Sequence, residues 1–133
     1  MLPKLSKEQI DVKHKVTALL IEEGFPVRIG LAQICAESRF NPKAVSPVGA
    51  KGLCQFMPST FEAVKKELMQ KNIIISDPFN IKDAVKAYVY YMTVVIPREL
   101  KVHQFSNTWE NCFRAYNAEI GRASCRERVY VLV

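Results

Sequence analysis

The 133-residue chain has few metal-binding residue types and none in a metal-binding pattern. Its four cysteines, Cys35, Cys54, Cys112 and Cys125, include no Cys-x-x-Cys pair. The two histidines, His14 and His103, lie far from them in sequence, so neither a zinc site nor another cofactor is expected. Cys35 and Cys112 fall on apolar faces of predicted helices, where a thiol serves as a small hydrophobe in a reduced protein. No run of about 18 apolar residues occurs, which excludes a membrane-spanning helix and stable membrane insertion. Residues 1–7 lack the apolar centre of a signal peptide. Internal repeats and low-complexity linkers are absent too, and a single domain is expected. The strand signal is weak: only Asn72 to Ser76 reads that way, too short and isolated to build a sheet.

What is present is helical periodicity on a basic, core-forming composition. Hydrophobic residues make up 49% and charged residues 24%, which excludes wholesale disorder, and the net charge of +6 favours polyanions. Ser6 with Gln9 predicts a capping box, Val12, Val16, Leu19 and Leu20 a helix face, and Gly24 with Pro26 its stop. A second helix is expected over about Val27–Ser38, with Val27, Leu31, Ile34 and Cys35 on one face. A third starts near Pro58 and carries Phe61, Val64, Leu68 and Met69. A fourth, capped by Asn80 with Asp83, carries Ile81, Ala84, Tyr88, Tyr91, Met92 and Val95 and is expected to end at Pro97. A fifth begins near Asn107, with Trp109, Cys112, Phe113 and Tyr116 facing inward.

Residues 39–58 break this period. Asn41-Pro42, Ser46-Pro47, Gly49 and Gly52 mark an ordered, turn-rich loop, and a long irregular loop inside a small domain is commonly functional. The helix before it ends in a carboxylate, Glu37. Between Arg39 and Phe61 there is no other acidic residue. A general acid working near neutrality needs an apolar pocket that disfavours its anion, and Phe40, Phe56, Met57 and Tyr116 are candidates to build one. Ser46, Gln55 and Asn117 are candidates to hydrogen-bond a polar substrate or steer the acid.

The run Glu37-Ser38-x-Phe40-Asn41-Pro42-x-Ala44-x-Ser46-Pro47-x-Gly49-Ala50-x-Gly52-Leu53-Cys54-Gln55-Phe56-Met57-Pro58-Ser59-Thr60 resembles, without a gap, the signature of the soluble lytic transglycosylases, the SLT family of peptidoglycan-cleaving enzymes. Asn80-Ile81 and Ala115-Tyr116-Asn117-Ala118 are similar to two later family pieces. The departures are Cys54, where methionine is commoner, and Glu119, where the family has glycine. The resemblance implies a mainly α, lysozyme-like fold of the α+β class: a small helical domain with an irregular active-site loop between helices two and three. It implies cleavage of the β-1,4 bond between N-acetylmuramic acid and N-acetylglucosamine, with Glu37 as general acid and then base. The muramic C6 hydroxyl would attack C1 and leave a 1,6-anhydro end. Most glycosidases need two carboxylates; one suffices where the substrate supplies the nucleophile. The same match puts Ser46 and Gln55 in sugar subsites, Met57 beneath the substrate, and Tyr116 in support of Glu37. Ser38, Gly49, Gly52 and Asn80 are supporting positions, the glycines letting the backbone lie close to the sugar.

The competing readings are a goose-type lysozyme, which would offer an acid to activate water, and a wall-binding module without catalysis. Asp77 and Asp83 are the acids whose positions sequence leaves open. A nucleic-acid partner is disfavoured, because the lysines are scattered and no arginine–aromatic patch accompanies them; a carboxylate-rich wall polymer explains the charge as well. The expected partner is the peptidoglycan glycan strand, met by a monomer. With no signal peptide, either the true start lies upstream or the protein is made in the cytoplasm and reaches the wall without Sec export, as a phage endolysin released through a holin, the first choice, or as a component delivered by a virion or secretion machine. Residues 119–129, Glu-Ile-Gly-Arg-Ala-Ser-Cys-Arg-Glu-Arg-Val, resemble the conceptual translation of a common sequencing adapter. The expected organisation is therefore a transglycosylase domain over 1–118, truncated at its C-terminus, and a non-native tail over 119–133.

Overall fold

The computed structural model describes residues 4–121, with side chains through Asn117. Six α-helices follow one another: α1 (Lys7–Glu23), α2 (Val27–Ser38), α3 (Pro58–Met69), α4 (Ile81–Tyr90), α5 (Ile96–Val102) and α6 (Trp109–Gly121). A π turn over Tyr91–Val95 joins α4 to α5. The domain is thus mainly helical, as expected. Among the described residues there is no strand. Asn72 to Ser76 is irregular, and extended pairing among the described residues is limited to two isolated bridges in the 39–58 loop, Val45 with Lys51 and Lys51 with Phe56. No helix among the described residues is long and apolar enough to cross a membrane. The tail expected over 119–133 lies outside the described residues from residue 122 onward.

Local chemistry sets the helix ends. Ser6 Oγ accepts from Gln9 N at 3.1 Å while Gln9 Oε1 accepts from Ser6 N at 2.6 Å, the reciprocal capping box that opens α1. Gly24 closes α1 in the left-handed conformation at φ 71°. Asn80 Oδ1 accepts from Asp83 N at 3.0 Å and opens α4. Gly30 lets α2 lie against α1, since a Cβ there would stand 2.6 Å from Leu20 Cδ1.

Pro97 does not end the fourth helix, contrary to expectation. The π turn shifts the ladder, with Ile96 N–H donating to Tyr91 O, five residues back. Pro97 then falls in the first turn of α5, where its missing N–H leaves no bond unmade. The helical course therefore continues to Val102.

The core gathers around α4, which packs against α1 and α3 and buries Ala84, Val85, Ala87, Tyr88, Val89 and Tyr90. A helix apolar on most of its circumference belongs in the centre of a domain. A Lys86–Glu23 ion pair ties it to α1. Trp109 departs from expectation: it is 44% exposed, edge-on to Phe25 at 5.8 Å and stacked on Phe113 at 6.1 Å, so it caps the core from outside. Met69 is likewise exposed.

Candidate active site

The site begins at the C-terminus of α2. Glu37 is half-buried in its last turn, and the chain leaves through two consecutive left-handed residues, Arg39 (φ 50°) and Phe40 (φ 62°). Gln55, further along the same loop, is also left-handed at φ 55°. Each such conformation costs a side-chain-bearing residue of order 1–3 kcal/mol and persists only where its surroundings enforce it. Here they do. Arg39 N donates to Cys35 O at 2.8 Å, and Gln9 Nε2 of α1 donates to Arg39 O at 3.1 Å. Phe40 is buried in the core.

The loop folds on itself and is clasped to the helices on both sides. Ser46 accepts from Ala50 N through its hydroxyl at 3.0 Å and donates its own N–H to Ala50 O at 2.9 Å. Gly49 closes that turn at φ 91°, with open space where a Cβ would stand. Gln55 is 2% exposed, and its Nε2 donates to Gly52 O at 2.8 Å and Ala44 O at 3.2 Å, so the amide holds the loop together from within. Ser38 Oγ donates to Leu53 O at 2.7 Å, joining α2 to the far side of the loop. Tyr116 of α6 reaches in from the other end, and its hydroxyl donates to Cys54 O at 2.5 Å. Met57, half-buried, packs against the core and precedes α3.

Gly52 does something other than what was expected of a glycine near a sugar. A Cβ there would stand 2.0 Å from the Pro78 carbonyl oxygen. The missing side chain admits the 76–80 turn, not a ligand. That turn is held by Asp83 Oδ2, which accepts from Ser76 N at 3.0 Å and Asp77 N at 3.2 Å, and by Asp77 Oδ1, which accepts from Phe79 N at 2.8 Å. Asp77, Asn80 and Asp83 thus work as backbone caps around the turn that Gly52 receives.

Beneath the loop lies an aromatic cluster. Tyr116 packs against Tyr91 at 5.6 Å, Phe56 at 5.9 Å and Tyr88 at 5.9 Å between ring centroids, at the tilted and edge-on angles that rings favour. Three buried groups report the charge of Glu37. The Cys54 thiol is held well above its ordinary range by burial first and then by the Glu37 carboxylate. The Tyr116 and Tyr88 hydroxyls are pushed well up by burial first, then by Cys54, then by Glu37. These three groups therefore favour their neutral forms and serve as hydrogen-bonding groups. Asn117 is fully buried in α6 next to Tyr116.

Two members of this neighbourhood were not singled out in the sequence. Gln33, one helical turn before Glu37, is fully buried, and its Oε1 accepts from the Tyr88 hydroxyl at 2.5 Å. Its one sequence signal is that a polar amide interrupts an otherwise apolar helix face. Tyr88 was read as core, and it is, but its hydroxyl carries a polar function inside that core.

The transglycosylase SLT domain family matches residues 22–128, most of the chain. The protein belongs to this family. Membership points to lytic transglycosylase activity with peptidoglycan as the substrate. The matched span covers the Glu37 loop, the Asn80 cap and the Tyr116 helix together, and it runs beyond Ala118. No curated protein and no solved structure matches the chain.

Proposed function

We propose that the protein cleaves the β-1,4 bond between N-acetylmuramic acid and N-acetylglucosamine and leaves a 1,6-anhydromuramoyl end, with Glu37 as the catalytic acid and base. The observation that supports this most directly is the placing of Glu37 beside the buried cluster: its carboxylate acts on Cys54, Tyr88 and Tyr116, and residues 39–61 hold no second acid. In the first step protonated Glu37 gives its proton to the glycosidic oxygen, and the glucosamine leaves. The cationic C1 then needs a nucleophile. The C6 hydroxyl of the same ring is held beside it at an effective concentration no free water matches. Ionised Glu37 takes the C6 proton as the new C–O bond forms, and the enzyme returns to its starting state. Ser46 and Met57, both partly exposed, shape the walls around this event, and Gln55, Tyr116 and Asn117 support them from the buried side. Ser38, Gly49, Gly52 and Asn80 hold those walls.

A goose-type hydrolase would need a further acid for water. Asp77 and Asp83, the acids that sequence left open for that role, accept backbone N–H groups in the 76–83 turn, which favours the transglycosylase reading. The test is product analysis of digested peptidoglycan by mass spectrometry. The transglycosylase product is lighter by one water and resists borohydride; ordinary reducible ends would replace this reading with the hydrolase. Glu37→Gln is expected to keep its circular dichroism spectrum and lose roughly 10²–10⁴-fold in rate. A variant retaining a tenth of wild-type turnover would remove Glu37 from the mechanism.

A further inference from the structure

Gln33 lies fully buried in α2, and only half of its amide is engaged. Its Oε1 accepts from the Tyr88 hydroxyl of α4 at 2.5 Å. Its Nε2 meets no hydrogen-bond acceptor among the described residues. A buried donor without an acceptor is a cost to the fold, and native cores keep few of them. One that persists beside a reacting group points to a partner that gains its charge during the reaction.

The helix register names that partner. Glu37 follows Gln33 by four residues, so the two side chains share one face of α2, with their Cβ atoms about 5–6 Å apart. Helical side chains lean toward the N-terminus, which carries the Glu37 carboxyl back over the turn that holds Gln33. The Tyr88 hydroxyl that donates to the amide also feels the Glu37 charge, after burial and Cys54. Register and electrostatics thus agree in setting the unspent donor next to the acid. The other groups that interact with Glu37 are Cys54 of the loop and Tyr116 of α6, with Cys112 acting on Tyr88 and Tyr91 on Tyr116. None of these thiols and phenols carries a positive charge. Arg39, two residues on, is the nearest cation along the chain.

We propose that Gln33 is the positioning residue for Glu37: its Nε2 receives the carboxylate once the proton has gone to the glycosidic oxygen, while Tyr88 holds the amide in that orientation. The inference rests on the reading of Glu37 as acid and base, and adds a residue that acts through it without touching the sugar. A hydrogen bond to the ionised form favours that form and lowers the carboxyl's pKa, against an apolar pocket that raises it. Gln33 therefore eases release of the proton in the first step and fixes the carboxylate for the C6 proton in the second. Tyr88 keeps the amide from turning its oxygen, an acceptor only, toward the carboxylate.

The test uses the full chain. The Glu37 carboxyl is titrated by carbon-13 NMR with labelled glutamate, its resonance assigned from Glu37→Gln, and kcat and KM on purified glycan strands are followed against pH. Gln33→Leu removes the donor, so protonated Glu37 persists to higher pH. The titration midpoint and the alkaline limb of kcat are expected to rise together by roughly one pH unit, with KM unchanged. Tyr88→Phe breaks the same buried bond but keeps Nε2, so both are expected to stay near their wild-type pH while kcat falls. The double variant strands no polar group in the core yet still lacks the donor, and is expected to keep the raised values. A purely structural role would instead track stability, with the two singles alike and no shift in titration. An unmoved Glu37 titration in Gln33→Leu, or an equal move in Tyr88→Phe, overturns the proposal. Should Gln33→Leu fail to fold, the double variant carries the same comparison against Tyr88→Phe. An active Glu37→Gln would remove the catalytic reading of Glu37, and the NMR titration would still decide whether Gln33 acts on its carboxylate.

Discussion

The Tyr116 hydroxyl donates to the carbonyl oxygen of Cys54 across 62 residues of sequence at 2.5 Å, and both groups are buried. This bond fastens α6 to the centre of the cleft loop. The loop cannot shift without stranding a buried carbonyl, whose desolvation costs about 1–3 kcal/mol. Tyr116→Phe keeps the ring contacts and removes only the anchor. The expected result is a stability loss of about 1–3 kcal/mol in urea titration together with a fall in turnover. Lost turnover at unchanged stability would mean that the hydroxyl acts on substrate and not on the loop.

Gly52 and Gly49 are both left-handed, at φ 81° and 91°, but only Gly52 faces a neighbour. Gly49→Ala meets open space and is expected to cost about 1–2 kcal/mol from backbone conformation alone. Gly52→Ala adds a collision with the Pro78 carbonyl, which is backbone and cannot rotate aside. Combined strain and overpacking put its cost at about 3 kcal/mol or more. Chemical denaturation of the two variants side by side measures the difference; equal losses would show that the Pro78 contact relaxes freely.

Gln33 and Tyr88 form a buried polar pair 55 residues apart in sequence, one turn below Glu37. Either Gln33→Leu or Tyr88→Phe alone leaves a polar group stranded in the core and is expected to cost about 1–3 kcal/mol. The double variant removes both polar groups, so its loss is expected to be smaller than the sum of the singles by about 1 kcal/mol or more. Simple additivity in the double-mutant cycle would show that the bond contributes nothing specific.

Glu67 of α3 receives Arg98 through both oxygens, at 2.8 and 3.0 Å, and the Tyr90 hydroxyl at 3.0 Å. The Arg98 hydrogen bond is the main cause that holds the Glu67 carboxyl below its ordinary range, with burial opposing it and the Tyr90 hydroxyl adding to it. A carboxyl depressed in the folded state stabilises the fold above its unfolded value, and this contribution disappears as pH falls through the depressed value. Arg98→Met is therefore expected to lower stability at pH 7 and leave it unaltered near pH 2. The side chains are 50% and 30% exposed, so solvent screening keeps the effect within about 1 kcal/mol, a melting-point shift of a few degrees. An equal shift at both pH values would mean that the pair acts through packing and not charge.

The helix ends were legible because their hydrogen bonds close within a few residues. Ser6 meets Gln9 and Asn80 meets Asp83 wherever the rest of the chain goes. The run from Glu37 to Thr60 was legible for a different reason: its residue types recur at fixed spacing and carry the family resemblance. Pro97 misled because a local rule, that proline stops a helix, yields when a π turn moves it to a position that needs no N–H. Trp109 misled because helical periodicity reports a face but not whether the domain extends far enough to cover it.

Sequence alone determined the helical class, the caps, the loop and the one acid at its edge, since each depends on neighbours or on spacing along the chain. Tertiary structure decided what those residues meet. It turned Gln55 inward to the loop, set Gly52 against Pro78, and joined Tyr88 to Gln33 and Tyr116 to Cys54. Such pairings depend on where distant segments come to rest when α4 is buried, because a buried polar group takes whichever partner the packing brings within about 3 Å.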